Sequence, residues 1–427
     1  MTEKVVTTDD LGSGTDAEPV DLLSKELAAD LHAGYARLRE RSPVLTASVM
    51  GGPPMCLVTR YSDVRSVLVD PRFRSDPASV PDGQDVRGAI MSTLNIPDDL
   101  VDYLAQNILS TDGADHTRLR RLVARGFTAR RVARLRSRIE EITARLLDEL
   151  AATGADGGPV DLVEGLCYPL PITVICELVG IPVEDRPGWQ QRGRTLSSMN
   201  PDGLSTALRE VVEHVHELIA RRRAAPADDM ITELIQAQED DGDRLSDREM
   251  VTMVIALVIA GHDTTAQLLA SSVQALLEHP GQLAPLIEHS GGWTEAVQEL
   301  MRMRGPVFGQ VRYPTTDVEV GGTVLRAGKP VMPGLLCANT DPREFDRADE
   351  LDLRREIGPV ERHLTFGKGA HYCLGAPLVT DELEIALRAL FTRFPRLSLA
   401  EPGVEREMRP GSSRIVGLSV HLPEVKR

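Results

Sequence analysis

Residues 250–260 are apolar except for Thr252, and they run directly into Gly261-His262-Asp263-Thr264-Thr265. The helical pattern continues to about Glu278, just before Pro280. Ser246 with Glu249 three residues on supplies a capping box at its start. A helix this long and this apolar has to be enclosed by other elements, so the chain must build a large helical core around it. The apolar run is too short to span a bilayer, which takes about 20 residues. Helical spacing also marks residues 21–42, 114–232 and 374–391. Short β-like segments at 44–48 and 55–59 suggest a small hairpin, and others stand beyond Pro306 and in the tail at 397–422. Residues 75–99 are rich in Pro, Gly, Ser and Asp and read as one long loop. The pattern predicts a mainly α fold with a minor β region (α+β). Residues 1–19 form a polar, disordered lead, and 20–427 form a single domain with no linker inside it.

Acids outnumber bases 64 to 48, a formal charge of −16. That argues against nucleic acid as a partner, because phosphate backbones select basic surfaces. Five cysteines are widely spaced and none forms a CxxC. This excludes the usual zinc-finger and thioredoxin-like patterns and argues against a disulfide framework. The first residues lack the basic start and apolar stretch of a signal peptide. Together these features predict a cytoplasmic protein without a membrane anchor.

The densest chemical signal is Phe366-Gly367-Lys368-Gly369-Ala370-His371-Tyr372-Cys373-Leu374-Gly375. Two glycines one residue apart allow positive φ, so the loop can lie flat against a planar group. Cys373 sits where a helix begins, and exposed N–H groups there favour a thiolate. A second signal is the polar run inside the long helix. Gly261 leaves out a side chain where something could approach. Thr264 can bond back to the carbonyl of Ala260 and loosen the helix, leaving room for a diatomic molecule. Asp263 beside it can relay protons.

These residues resemble the haem loop FxxGxxxCxG and the [A/G]Gx[D/E]T[T/S] helix motif of the cytochrome P-450 family. The resemblance extends over nearly the whole chain. It implies a single-domain fold with heme b between the long oxygen-activating helix and the cysteine-loop helix. Cys373 would be the axial ligand of the iron, with Phe366, Gly367, Gly369, His371 and Gly375 around it. Ala260 and Gly261 would line the other face, and Asp263 and Thr264 would be the catalytic pair that delivers protons to bound O2. His262 falls at the variable position. Glu299 and Arg302 form the family's ExxR pair, with Arg355 as the third, structural partner. His116, Arg120, Arg312 and His363 would meet the haem propionates, since buried carboxylates need donors.

Residues 116–138 hold nine Arg and no Asp or Glu. This suggests a cationic dock for an acidic electron donor near Arg118, Arg121 and Arg125. The activity implied is a monooxygenase that hydroxylates or epoxidises a small molecule. The substrate class implied is a secondary metabolite such as a macrolide, polyketide or peptide, and the electrons would come from a ferredoxin and its reductase. Substrate would sit among residues 75–99, the helices within 187–221, Val258, 306–311 and a turn near 412–416, with Gly305, Gly309 and Gly411-Ser412-Ser413 suggesting a roomy site. A monomer is expected. A peroxygenase, an enzyme of oxidative ring coupling, and a non-catalytic haem-binding sensor are the alternatives.

Overall fold

The computed structural model describes residues 6–7, 19–49, 51–105, 107–127, 129–198, 200–240, 245–289, 291–356, 362–409 and 412–423. Its principal helices, in chain order, are α1 (Leu31–Arg41), α2 (Tyr61–Val69), α3 (Asp98–Ala105), α4 (Gly113–Ala124), α5 (Ala129–Thr153), α6 (Pro169–Val179), α7 (Arg186–Ser198), α8 (Pro201–Ala224), α9 (Asp247–Glu278), α10 (Trp293–Arg304) and α11 (Ala376–Arg393). By its contacts the chain forms two compact units. One comprises Met1–Ile90, Gln298–Cys373 and Arg406–Arg414; the other comprises Met91–Val297, Leu374–Glu405 and Ile415–Arg427.

The first unit carries most of the sheet. Strands Val44–Ser48 and Met55–Val58 pair antiparallel with Leu45 opposite Leu57, as the sequence suggests. Val331–Pro333 joins them in parallel. A second hairpin turns through Gly321 and Gly322, both at positive φ, which is the backbone of a tight primed turn. Val6 and Thr7 pair in parallel with its second strand, Thr323–Leu325, so this part of the expected disordered lead is in a strand; the rest of residues 1–18 lies outside the described residues. One helix expected over 21–42 is two, because Asp30 leaves helical geometry and its carboxylate caps Ala33 N at 3.0 Å.

The second unit is helical and is built around α9. Ser246 and Glu249 form the expected capping box. The helix is long and apolar enough to cross a membrane, yet 72% of its most apolar window is buried within the protein. Gly261 is needed here for packing: a Cβ would stand 3.0 Å from Ile175 Cδ1 on α6. The expected long loop at 75–99 contains a helix of its own, Val86–Thr93, and the start of α3. Its turn-forming residues cap these short helices instead of replacing them: Asp85 Oδ1 accepts from Gly88 N at 2.8 Å.

On α11, Glu382 is 2% exposed, and burial together with nearby Asp381 pushes its carboxyl up to about 8. The unfolded chain releases that proton near pH 4.5, whereas the folded chain holds it to about pH 8. Stability therefore falls as pH rises through that window. Glu382→Gln should remove this slope. Its thermal midpoint should exceed wild type at pH 8 by roughly the equivalent of a few kcal/mol and match it near pH 4. An equal gain at both pH values would contradict a buried neutral carboxyl.

Candidate functional site

The cysteine loop belongs to the first unit. Gly367 and Gly369 take φ of 70° and 75°, as their sequence spacing suggests. Gly369 has no alternative, because a Cβ would meet the Leu68 carbonyl at 2.7 Å. Cys373 N donates to Phe366 O at 3.0 Å and closes the loop. The Phe366 ring packs edge-on to Tyr372 at 6.4 Å. His371 Nε2 meets Ser75 Oγ at 3.0 Å; Ser75 carries no sequence signal for this role. Of the five cysteines, four are buried and Cys373 alone is partly exposed. Burial pushes the Cys176 and Cys337 thiols up to about 12 and Cys167 higher still, so these three are held as neutral thiols. The helix following the loop begins at Ala376 with Gly375 as its N-cap, so Cys373 precedes the first turn rather than starting it.

The loop is anchored from α10. Glu299 and Arg302 are both fully buried. Arg302 donates to both Glu299 oxygens at 2.7 Å and to the carbonyls of Asn339 and Ala348 at 2.7 Å. Arg355 Nε reaches the same carboxylate at 3.1 Å, the third-partner position that the sequence reading gave it. Asn339 in turn accepts from Leu364 N at 2.6 Å and donates to Thr365 Oγ1 at 2.9 Å. The segment leading into the cysteine loop is therefore held by the ion cluster through one amide side chain.

The polar run on α9 belongs to the second unit. Thr264 Oγ1 donates to Ala260 O at 2.7 Å and Thr265 Oγ1 to Gly261 O at 3.2 Å. The expected back-bond is present, but the helix stays α-helical throughout, so the expected loosening of the ladder is not seen. Leu257, Ala260, Gly261 and Thr264 are all less than fully buried, and their i, i+3, i+4, i+7 spacing makes them one accessible stripe on a buried helix. Asp263 Oδ1 is buried without a hydrogen-bond partner. An enclosed carboxyl oxygen in that state is costly unless something else completes it.

The expected propionate partners divide between the units. His116 and Arg120 lie on α4, with His116 4% exposed; Arg312 and His363 lie in the first unit, both buried. His363 is not a cation. Burial and Arg302 push it down to about 3, and Nε2 faces Gln298 Oε1 at 3.1 Å, so it is a neutral imidazole whose one N–H is turned to that amide oxygen. The arginine-rich stretch is also less cationic than its composition implies. Arg118 pairs with Glu249, Arg131 with Glu233 and Asp228, Arg136 with Asp381 and Glu384, and Arg138 with Glu177. These acids come from distant parts of the sequence, which a local count cannot register. Gly305 and Gly309 do not indicate room either. A Cβ at Gly309 would stand 2.3 Å from Pro333 O, and one at Gly305 3.0 Å from Thr365 Cγ2. Gly411 lies outside the described residues.

Residues 195–288 and 293–420 match the cytochrome P450 family. The chain is 38% identical to 6-deoxyerythronolide B hydroxylase of Saccharopolyspora erythraea, over 89% of this chain and 92% of that protein. The chain belongs to the cytochrome P450 family. It is also 40% identical to nocardicin C N-oxygenase of Nocardia uniformis subsp. tsuyamanensis, over 93% of this chain and 96% of that one. The tirandamycin C-bound structure of the P450 monooxygenase TamI superposes with a TM-score of 0.84 at 32% identity, covering 95% of this chain and all of that one. A cytochrome P450 is an oxidoreductase that uses heme b to incorporate oxygen from O2. The residues here fit such a group: one accessible thiol in a flat glycine loop, and a carboxyl oxygen left unsatisfied beside a threonine on an accessible helical stripe.

Removing Glu299 would leave two arginines facing a buried, uncompensated site. Glu299→Ala should cost about 3–5 kcal/mol, enough to abolish soluble protein. Arg355→Ala, which leaves the Glu299–Arg302 pair intact, should lower the thermal midpoint but still yield folded protein. An equally small loss from both variants would mean that the cluster is no more than a surface-type pair.

Proposed function

We propose that this chain is a haem-thiolate monooxygenase that hydroxylates or epoxidises a secondary metabolite, with Cys373 as the axial ligand. The observation that carries the reading is the accessible Cys373 in its positive-φ loop, in a chain whose other four cysteines are buried. When bound, heme b supplies the oxygen-activating redox chemistry. The chain's own task is to hold the cofactor, exclude water and manage protons. Cys373 is the cysteine that escapes full burial, and so the thiol that a metal could reach. Of the expected set, His116, Arg120 and Arg312 are suited to pair the propionates as donors. The unsatisfied Asp263 Oδ1 and the Thr264 Oγ1, which can turn from the Ala260 carbonyl, are the groups suited to relay protons.

A macrolide, polyketide or peptide substrate is supported by relatives named for 6-deoxyerythronolide B, nocardicin C and tirandamycin C. We infer that electrons come from a ferredoxin acting on a cytoplasmic, monomeric enzyme. The exposed Arg121 and Arg125 are the part of the arginine stretch suited to meet it, because they face solvent. The nocardicin relative keeps oxygenation of nitrogen as a second reading, because it is as similar to this chain as the carbon hydroxylase.

A carbonyl difference spectrum on the reduced protein tests the ligand. Wild type should give the thiolate-type band and Cys373→Ser should lose it; an unchanged band in the variant would end the assignment. Thr264→Ala should keep haem and the substrate-induced spin shift, yet lower product formed per electron pair by at least about tenfold, with the balance appearing as hydrogen peroxide. Reversing the charge of both Arg121 and Arg125 to Glu should raise the KM for ferredoxin by roughly tenfold at low salt and flatten its ionic-strength dependence. A KM that does not change would place the dock elsewhere.

A further inference from the structure

His262 has no part in the proton relay, yet it is the most enclosed polar residue of the motif, at 0% exposure. Its Nδ1 lies 2.5 Å from Val258 O one turn back. A carbonyl only accepts, so Nδ1 carries the proton and Nε2 presents a lone pair. That lone pair accepts from Ser197 Oγ at 3.3 Å, on α7. The Tyr168 ring, just ahead of α6, packs edge-on to the imidazole at 5.4 Å and 89°. Tyr168 OH donates to Gln190 O at 3.2 Å, and the Arg194 guanidinium stands 4.5 Å above the same ring.

Gln190, Gly193 and Ser197 share one face of α7 by helical spacing. Gly193 is what lets that face come so close, because a Cβ there would stand 3.1 Å from both His262 Nε2 and Tyr168 OH. The result is a buried polar seam in the second unit that joins α7 to α9 one residue before Asp263. In a seam this tight, sliding α7 along α9 breaks the Ser197–His262 bond without exposing it to water, so α7 has a preferred register instead of a continuous range.

We propose that His262 is a positioning residue that locks the register of α7 against α9. The lock couples what α7 contacts to the aim of Asp263 and Thr264. This rests on the monooxygenase reading, in which the helices within residues 187–221 wall the substrate space. The conformation of the wall and the proton pair would then be set together through one buried hydrogen bond.

The test uses the haem-loaded protein with Ser197→Ala, His262→Phe, the double variant and Ser197→Thr. Three quantities are read: hydrogen–deuterium exchange over residues 186–198, affinity for imidazole from the Soret shift, and the share of electrons recovered as hydrogen peroxide. Each single variant should speed exchange in 186–198 by roughly fivefold, the scale of one neutral buried hydrogen bond. Imidazole affinity and peroxide yield should change in the same variants. The double variant should go no further than the more affected single, and Ser197→Thr, which keeps the hydroxyl, should restore wild-type behaviour. Additive effects in the double variant would overturn the lock. So would exchange that rises evenly across the second unit with affinity and peroxide yield unchanged, which is the signature of lost packing alone. A wild type without the thiolate band would refute the monooxygenase reading separately, and the exchange pattern would still decide the lock.

Discussion

The first unit depends on a carboxylate that serves two guanidinium groups out of reach of water. Burying either the Glu299 carboxylate or the Arg302 guanidinium alone at 0% exposure would carry a large desolvation cost. What makes the arrangement tolerable is that each remaining donor of Arg302 also ends on a carbonyl, at Asn339, Ala348 and Glu350, while its guanidinium stands 5.1 Å from the Phe345 ring. Asp352 N adds a further donor to Glu299 at 3.0 Å. The cluster therefore fixes backbone more than side chains. Through Asn339 it sets Leu364 and Thr365, and from there the loop runs to Cys373. A ligand loop rich in glycine has little rigidity of its own. Its shape is imposed by this neighbouring charge cluster.

The second unit meets a different requirement. Its central helix must be apolar enough to be a core element and polar at one stripe. The ends bear the restraint: Ser246 and Glu249 cap the first turn, Glu249 also binds Arg118 of α4, and Asp247 binds Arg223 of α8. Fixed at its N-terminus and packed against α6 through Gly261, α9 can carry a threonine back-bond without bending. Two unrelated demands thus meet in one glycine, and the packing demand accounts for it.

Local patterns were legible in the sequence wherever chemistry and spacing coincide within a few residues. The capping box at Ser246, the positive-φ glycines at 367 and 369, the hairpin at 44–58 and the Glu299–Arg302 pair are all of this kind. Arg355 was legible only through resemblance, because 56 positions separate it from Glu299. What could not be read is the identity of partners brought together by tertiary structure. Ser75 beneath His371, Gln298 beside His363 and Glu249 on Arg118 carry no local mark. The glycines at 305 and 309 were misread for the same reason: absence of a side chain looks alike in sequence whether it makes space or yields it to a carbonyl.

The arginines make the same point about charge. A run of nine without an acid reads as a cationic surface, yet most of those with resolved partners hold acids on α6, α9, α11 or the segment around Asp228. Each such pair is worth little alone in solvent. Arg136, held between Asp381 and Glu384, and Arg393 with Asp148 both connect α5 to α11, so two helices are joined at points a dozen residues apart along each. Pairs arranged in this way fix the direction and register of the helices even where they add little net stability. In a chain with 64 acids and 48 bases, a positive surface can arise only where the fold keeps arginines away from its own carboxylates. The electrostatic character of the outer face is therefore a property of the folded packing and is not carried by the sequence composition.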